Sequence, residues 1–133
     1  MKLCALVAGL ALLLAPAYAH HSIGPYDLTH SATITGVVTQ FSWINPHAYI
    51  FLDSKQLDSK DDTSQHWKVE IESPNALRRS GWSKDSLKSG DAVTCIGARA
   101  KDPAALLMRG WIVVLPDGRQ LSAQADPFLK EGK

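Results

Sequence analysis

The sequence predicts a mainly β fold: a small OB-like barrel of five antiparallel strands, with one short helix between strands 3 and 4. Short segments that are rich in β-branched residues, or that alternate between apolar and polar residues, recur along the chain between turn residues. A single helix signal follows the third segment, and a glycine interrupts the first. A sandwich of the same antiparallel strands is the alternative architecture.

The first half of the domain supplies three strands. Strand 1 covers residues 32–43, and Gly36 lies where a bend or bulge would be tolerated. Asn45-Pro46 marks a turn into strand 2 at residues 48–52. The polar segment 54–65 is predicted to be a hairpin loop. Strand 3 then follows with strict apolar–polar alternation, which is typical of a half-buried strand.

The helix signal begins at Ser73, a predicted N-cap, with Pro74 at the first helical position and Gly81 as the terminating residue. Strand 4 follows at residues 92–100 and strand 5 at residues 109–115, before a tight turn and a short return segment. The predicted organisation is a signal peptide at 1–19, an N-terminal arm at 20–31, the barrel domain at 32–123 and a C-terminal tail at 124–133.

The first residues match a secretory signal peptide, because Lys2 precedes an apolar run and Ala17-Tyr18-Ala19 supplies small residues for cleavage. The apolar run is shorter than the roughly 20 residues that span a bilayer. We therefore expect cleavage after Ala19, a periplasmic or secreted protein, and no stable membrane insertion of the mature chain.

The charge balance excludes a nucleic-acid partner. The chain has 133 residues, with 14 Lys+Arg against 13 Asp+Glu. Loss of the first 19 residues removes Lys2 and leaves 114 residues with 13 charges of each sign. Such a neutral domain lacks the basic footprint of a nucleic-acid binder. Its single cysteine, Cys95, can form no intramolecular disulfide and is predicted to be a buried core residue.

Cleavage after Ala19 would make His20 the N-terminus, with His21 next. An N-terminal histidine offers its α-amine and a ring nitrogen to one metal ion, and such ligands suit copper(II), nickel or zinc. His47 or His66 could supply a further nitrogen. The predicted metal ligands are His20, His21 and His47, with copper preferred; the alternative is a frayed terminus that binds nothing.

A binding face for a small organic ligand, an oligosaccharide or a periplasmic protein partner is the alternative function. The Asn45-Pro46-His47 turn lies between two aromatic residues, and the helix start with its arginines could hold an anion. The same helix residues could equally be a cap and a solvated face. The candidate ligand-binding residues are Trp43, Asn45, Tyr49, Asn75, Arg79 and Trp82.

Several motifs occur together in the chain: His20-His21-Ser22, Asn45-Pro46-His47, Ser73-Pro74-Asn75 and Leu115-Pro116-Asp117-Gly118-Arg119. In this combination the chain resembles a family of small exported bacterial proteins, domain of unknown function 6152, over residues 20–121. The resemblance implies an exported small β-domain and carries no activity. It makes the His-His pair part of a family pattern, which favours the metal hypothesis.

No motif predicts catalysis, since the chain has no Gly-rich phosphate loop, nucleophile elbow, His-Glu-x-x-His or Cys-x-x-Cys motif. An enzyme, for instance a copper oxidase using the terminal histidine, is a third hypothesis without a legible acid, base or nucleophile. Glu70 and Glu72 are predicted to belong to a solvated sheet face.

Overall fold

The computed structural model describes residues 24–55 and 64–124. The predicted signal peptide, His20 and His21 lie outside these residues. Within them, no helix is long and apolar enough to cross a membrane. The elements, in chain order, are β1 (Ala32–Ser42), β2 (Tyr49–Lys55), β3 (Ser64–Glu70), α1 (Pro74–Arg79), β4 (Ala92–Arg99), β5 (Leu107–Val114) and β6 (Gln120–Ser122).

Five of the strands close into a barrel in the order β3-β2-β1-β4-β5, and β6 pairs with β5 as an additional strand. The neighbouring pairs are antiparallel, whereas the contact that closes the barrel, between β3 and β5, is parallel. The predicted OB-like barrel with one helix between strands 3 and 4 is therefore confirmed. The parallel closure and the sixth strand are differences of detail.

The strand β1 serves two partners, because its first half pairs with β4 and its second half with β2. A Cβ atom at Gly36 would lie 2.4 Å from the carbonyl oxygen of Asp53, so a side chain there would force the two strands apart. The register shifts between Val38 and Gln40, which is the irregularity expected beside a bend in a barrel strand. Gly36 thus lets β1 and β2 approach closely where β1 changes partner.

The predicted hairpin loop at residues 54–65 is too long, because both of its ends belong to strands. Ser54 pairs with Gln65, and Lys55 pairs with Ser64. The error arose because these strand ends are polar and project beyond the core, so the apolar alternation that marked the rest of each strand is absent.

The core lies inside the barrel and is closed at one end by α1 and the segment that follows it. The prediction that Cys95 is a core residue is confirmed, since its side chain is fully buried. Burial raises the pKa of the Cys95 thiol to about 12. Large side chains of the core include Val38, Ile50, Leu52, Val69, Ile71, Leu77, Met108 and Val113.

A second, smaller core lies on the outside of the barrel, where the N-terminal arm packs against β4 and β5. Tyr26 is buried there against Ala98 and Trp111. The arm is also held by a backbone hydrogen bond from the Asp27 amide to the Arg99 carbonyl, at 2.9 Å. The sequence predicted only an N-terminal arm without regular periodicity. The burial of Tyr26 could not be predicted, because one buried aromatic ring in an irregular segment leaves no periodic pattern.

The buried thiol makes the fold sensitive to alkaline pH. The pKa of Cys95 is about 12 in the folded chain against an ordinary value of 9.0. The stabilisation that comes from burying the neutral thiol is therefore complete below pH 9 and is lost as pH rises towards 12. Burial also raises the pKa of Tyr26, with the same sign. As pH rises, we expect the unfolding free energy to fall by about 1.4 kcal/mol per pH unit for each group that is ionised in the unfolded chain but still protonated in the folded chain.

Urea unfolding of the wild type and of Cys95→Ala between pH 8 and about pH 11 would measure this slope. The variant starts from a lower stability because it leaves a small cavity. Its unfolding free energy is nevertheless expected to fall less steeply with pH. Parallel curves for the two proteins would contradict the assignment to Cys95.

Candidate functional site

A cluster of polar side chains lies on the outer surface of the barrel at the end of β3. We call it the Glu70 cluster, and its members are Tyr26, His47, Glu70, Glu72 and Arg109. The parallel register of β3 and β5 places Glu70 beside Arg109. The antiparallel register of β2 and β3 places Glu70 opposite Tyr49, and this brings the preceding turn residue His47 to the same place.

Glu70 is the centre of this cluster, and both of its carboxylate oxygens are engaged. Arg109 Nη1 donates to Glu70 Oε1 at 2.9 Å, and the Tyr26 hydroxyl donates to Glu70 Oε2 at 2.9 Å. His47 Nδ1 lies 2.8 Å from Glu70 Oε1. The same guanidinium continues to the neighbouring carboxylate, because Arg109 Nη2 donates to Glu72 Oε1 at 3.2 Å.

The cluster is sheltered from water, since 14% of the Glu70 side chain and 11% of the Arg109 side chain are exposed. Ionised groups at such depth are stable only when they are paired and hydrogen-bonded. The Glu70 carboxylate raises the pKa of Tyr26 further by accepting its hydrogen bond, in addition to the effect of burial. Tyr26 therefore stays a neutral donor to a charged acceptor.

His47 lies against Glu70 at ion-pair distance, with 2.8 Å between Nδ1 and Oε1. A protonated imidazole ring would place a positive charge beside this carboxylate. Since 23% of the His47 side chain is exposed, the residue is accessible from solvent.

Of the other predicted residues around the turn, Tyr49 lies opposite Glu70 in the β2–β3 pairing. Trp43 is partly buried, with the Arg78 guanidinium 5.7 Å from its ring centroid. Asn45 is exposed and precedes Pro46 through a cis peptide bond. Tyr49 is partly buried, and Lys68 Nζ lies 4.2 Å from its ring centroid.

The candidate ligand-binding residues around the helix differ in their exposure to solvent. Asn75 and Arg79 are exposed, and the Asn75 side chain accepts a hydrogen bond from Arg78 Nη1 at 2.9 Å. Trp82 is a core residue that is 3% exposed, and its Nε1 donates to the Ser122 carbonyl at 2.8 Å. Its ring is therefore no exposed stacking surface. The predicted cap is present, because Ser73 Oγ accepts from the Ala76 amide.

Histidines do not gather at one point in the described residues, and no group of three or more His, Cys, Asp or Glu side chains there could hold a metal ion. His66 lies four residues along β3 from Glu70, or about 13 Å away, and its Nδ1 is 2.5 Å from Asp53 Oδ1. A metal site with three or more such ligands that uses His47 would need at least one of them from residues outside the described ranges.

Four members of the Glu70 cluster were missed by the sequence analysis, and the prediction that Glu70 and Glu72 form a merely solvated face is wrong for Glu70. The one available signal was Arg109, a charged residue in the apolar strand Leu107–Val114. A buried arginine in a strand needs a carboxylate partner on a neighbouring strand. Local sequence pattern does not indicate which strand carries that carboxylate.

The model of a family of unknown function, DUF6152, matches residues 8–109 of the chain. The protein belongs to this family. The matched segment contains the Asn45-Pro46-His47 turn and every member of the Glu70 cluster, whereas the Leu115–Arg119 turn lies beyond it. No curated protein matches the chain.

This DUF6152 chain also carries a shallow groove of about 460 Å³ on its outer surface. The groove lies over β2 and β3 and is bordered by the connection between β4 and β5. It combines aromatic and aliphatic side chains with one ammonium group and the pair of Asp53 and His66. The side chains that give it this character are Phe51, Lys68, Ala105, Leu106 and Leu107.

Proposed function

We propose that this protein is an exported β-barrel protein that binds a divalent metal ion, with copper(II) preferred, through its processed N-terminus and His47. The observation that carries the proposal is the 2.8 Å contact between His47 Nδ1 and Glu70 Oε1. Histidines that bind metals through one nitrogen commonly donate the other N–H to a carboxylate. His20 and His21 would supply the remaining nitrogen ligands.

The N-terminal arm supports the proposal, because it is fastened beside His47. The Tyr26 hydroxyl bonds to the same Glu70 carboxylate that contacts His47. His20 precedes Tyr26 by six residues, and six residues span at most about 22 Å. A terminus created by cleavage after Ala19 could therefore reach His47 without any change in the barrel.

The proposed ligand set favours copper(II). An α-amine and imidazole rings are nitrogen donors, which suit copper, nickel and zinc. For a given set of such donors, affinity among the divalent ions of this series is highest for copper. The mature chain has one thioether, Met108, and it is fully buried in the core. A site for copper(I) built on methionines is therefore not proposed.

Calorimetric titration of copper(II) into two versions of the protein tests this proposal. One version begins at His20 with a free α-amine, and the matched control is the same chain with its α-amine acetylated, which removes that nitrogen from the ligand set. We expect submicromolar affinity in the first version and a loss of at least tenfold in the second. Equal affinity in both versions, or no binding in either, would contradict the proposal.

The groove favours a second candidate function, a binding module for a small organic ligand, an oligosaccharide or a protein partner. The Tyr49 ring lies 6.5 Å from the Phe51 ring that borders the groove, so an aromatic surface continues from the predicted turn into the groove. This function requires no metal. A ligand screen followed by chemical-shift changes at Phe51 and Lys68 would support it, and ligands that shift only residues elsewhere would contradict it.

A further inference from the structure

We infer that the groove over β2 and β3 is a site for a small organic acid, a single carboxylate on an apolar body, and that Lys68 binds the carboxylate. The inference is independent of the proposed metal site. It rests on the second candidate function, the binding module, and narrows that function to one class of ligand.

The registers of three strands place an aromatic ring and an ammonium group side by side in the groove. Phe51 of β2 is paired with Lys68 of β3, and Lys68 is paired in turn with Leu107 of β5. Successive residues of a strand face opposite sides of the sheet. The next residue of β2, Leu52, and the preceding residue of β3, Trp67, are buried, whereas Phe51 and Lys68 are partly exposed.

One wall of the groove is the connection between β4 and β5, and hydrogen bonds hold it in shape. The Ala105 amide donates to the Asp102 carbonyl at 3.1 Å, and the Ala104 amide donates to Asp102 Oδ1 at 2.9 Å. The Lys68 amide donates to the Leu106 carbonyl at 3.0 Å, which fixes the wall against β3. A preformed groove with an apolar wall and few polar groups suits a small organic ligand.

The ammonium group of Lys68 is the part of the groove that selects an anion. Its Nζ lies 4.2 Å from the Tyr49 ring centroid and 6.0 Å from the Phe51 ring centroid. Within the described ranges, no carboxylate forms an ion pair with Lys68. Since an ammonium group has three N–H donors, a carboxylate that enters the groove would gain charge-assisted hydrogen bonds.

A negative group on the other side of Phe51 restricts the ligand to one carboxylate. Asp53 lines the groove, and its Oδ1 is hydrogen-bonded to His66 Nδ1 at 2.5 Å. The Lys68 ammonium lies over Tyr49, which is four residues from Asp53 on β2, or about 13 Å along the strand. A second carboxylate at the Asp53 end would meet a like charge. The charges of the groove therefore complement an acid whose remaining part is uncharged.

The experiment titrates the ¹⁵N-labelled, metal-free protein with compounds that share one apolar body. Phenylpropionate carries the carboxylate, phenylpropionamide is its neutral analogue and phenylpropylamine is cationic. We expect phenylpropionate to shift the backbone signals of Phe51 and Lys68 to saturation, the amide to bind about tenfold more weakly and the amine to cause no shift. Acetate, which lacks the apolar body, is expected to bind at least about tenfold more weakly.

Equal affinities for phenylpropionate and its amide would overturn the inference and would still support the second candidate function. Equal affinities for phenylpropionate and acetate would overturn it as well, because the apolar wall would then contribute nothing. Absence of shifts at Phe51 and Lys68 with phenylpropionate would also overturn it. A derivative with a second carboxylate on its ring should bind more weakly, and tighter binding would contradict the role given to Asp53.

Two variants assign the carboxylate contact to one residue. Lys68→Gln removes the ammonium group in the groove, and Lys84→Gln is the matched control, because Lys84 is exposed and does not line the groove. We expect Lys68→Gln to weaken phenylpropionate binding about tenfold, with Lys84→Gln within about twofold of the wild type. Equal affinities in the two variants would overturn the inference. If Lys68→Gln does not fold, the ligand series on the wild type decides.

Discussion

Replacement of Arg109 by methionine is expected to lower the unfolding free energy by about 3–5 kcal/mol, the usual cost of removing one partner of a buried ion pair. Methionine keeps much of the apolar volume of the side chain and removes the guanidinium. Glu70, of which 14% is exposed, would then retain a carboxylate without its cationic partner. Urea unfolding monitored by tryptophan fluorescence would measure the change.

Glu72→Gln is the control for this prediction. It removes a carboxylate that is 33% exposed from the same guanidinium, and pairs nearer to solvent contribute about 0–1 kcal/mol. We therefore expect a loss within that range. Equal losses in Arg109→Met and Glu72→Gln would contradict the idea that the pair with Glu70 supports the fold.

Replacement of Gly97 by alanine is expected to destabilise the fold by about 3 kcal/mol or more, at or beyond the upper end of the range for overpacking. A Cβ atom there would lie 2.0 Å from the Arg109 carbonyl oxygen. Gly97 pairs with Gly110 next to a register shift between β4 and β5. Because the obstacle is backbone and not a flexible side chain, relief requires the two strands to separate.

Gly24→Ala is the matched control, since no atom lies within 4 Å of a Cβ built at that position. We expect thermal unfolding by circular dichroism to show a midpoint close to that of the wild type for Gly24→Ala. Gly97→Ala should unfold at a much lower temperature or accumulate as insoluble protein. Similar midpoints for the two variants would show that β4 and β5 are further apart than described.

Local sequence pattern was sufficient to predict most of the elements of the barrel. The alternation around Trp67 and Val69 predicted β3, and the Ser73-Pro74 pair predicted the start of α1. Burial of Cys95 followed from its place in a strand of apolar residues. Each of these features depends on residues near one another in the chain, so that periodicity and capping preferences are enough to reveal it.

The candidate site was only partly predictable, because its contacts join distant parts of the chain. Tyr26 and Glu70 are 44 residues apart, and Arg109 and Glu70 are 39 residues apart. Only the parallel register of β3 and β5 brings the second pair together. His47 could be singled out from its turn, whereas the carboxylate that contacts it could not.

Trp82 shows the opposite error, because an aromatic residue just after a short helix was predicted to be available for binding a ligand. Its indole N–H is satisfied by the Ser122 carbonyl, 40 residues further along the chain. A buried tryptophan needs such a partner, and β6 supplies it. The sequence could not anticipate this partner because β6 is only three residues long.

Electron paramagnetic resonance of the protein beginning at His20, loaded with one equivalent of copper(II), tests most directly whether the new N-terminus and His47 share one ion. We expect hyperfine coupling to nitrogen ligands in the wild type and the loss of one imidazole nitrogen in His47→Gln. Identical copper spectra for the two proteins would contradict a shared site.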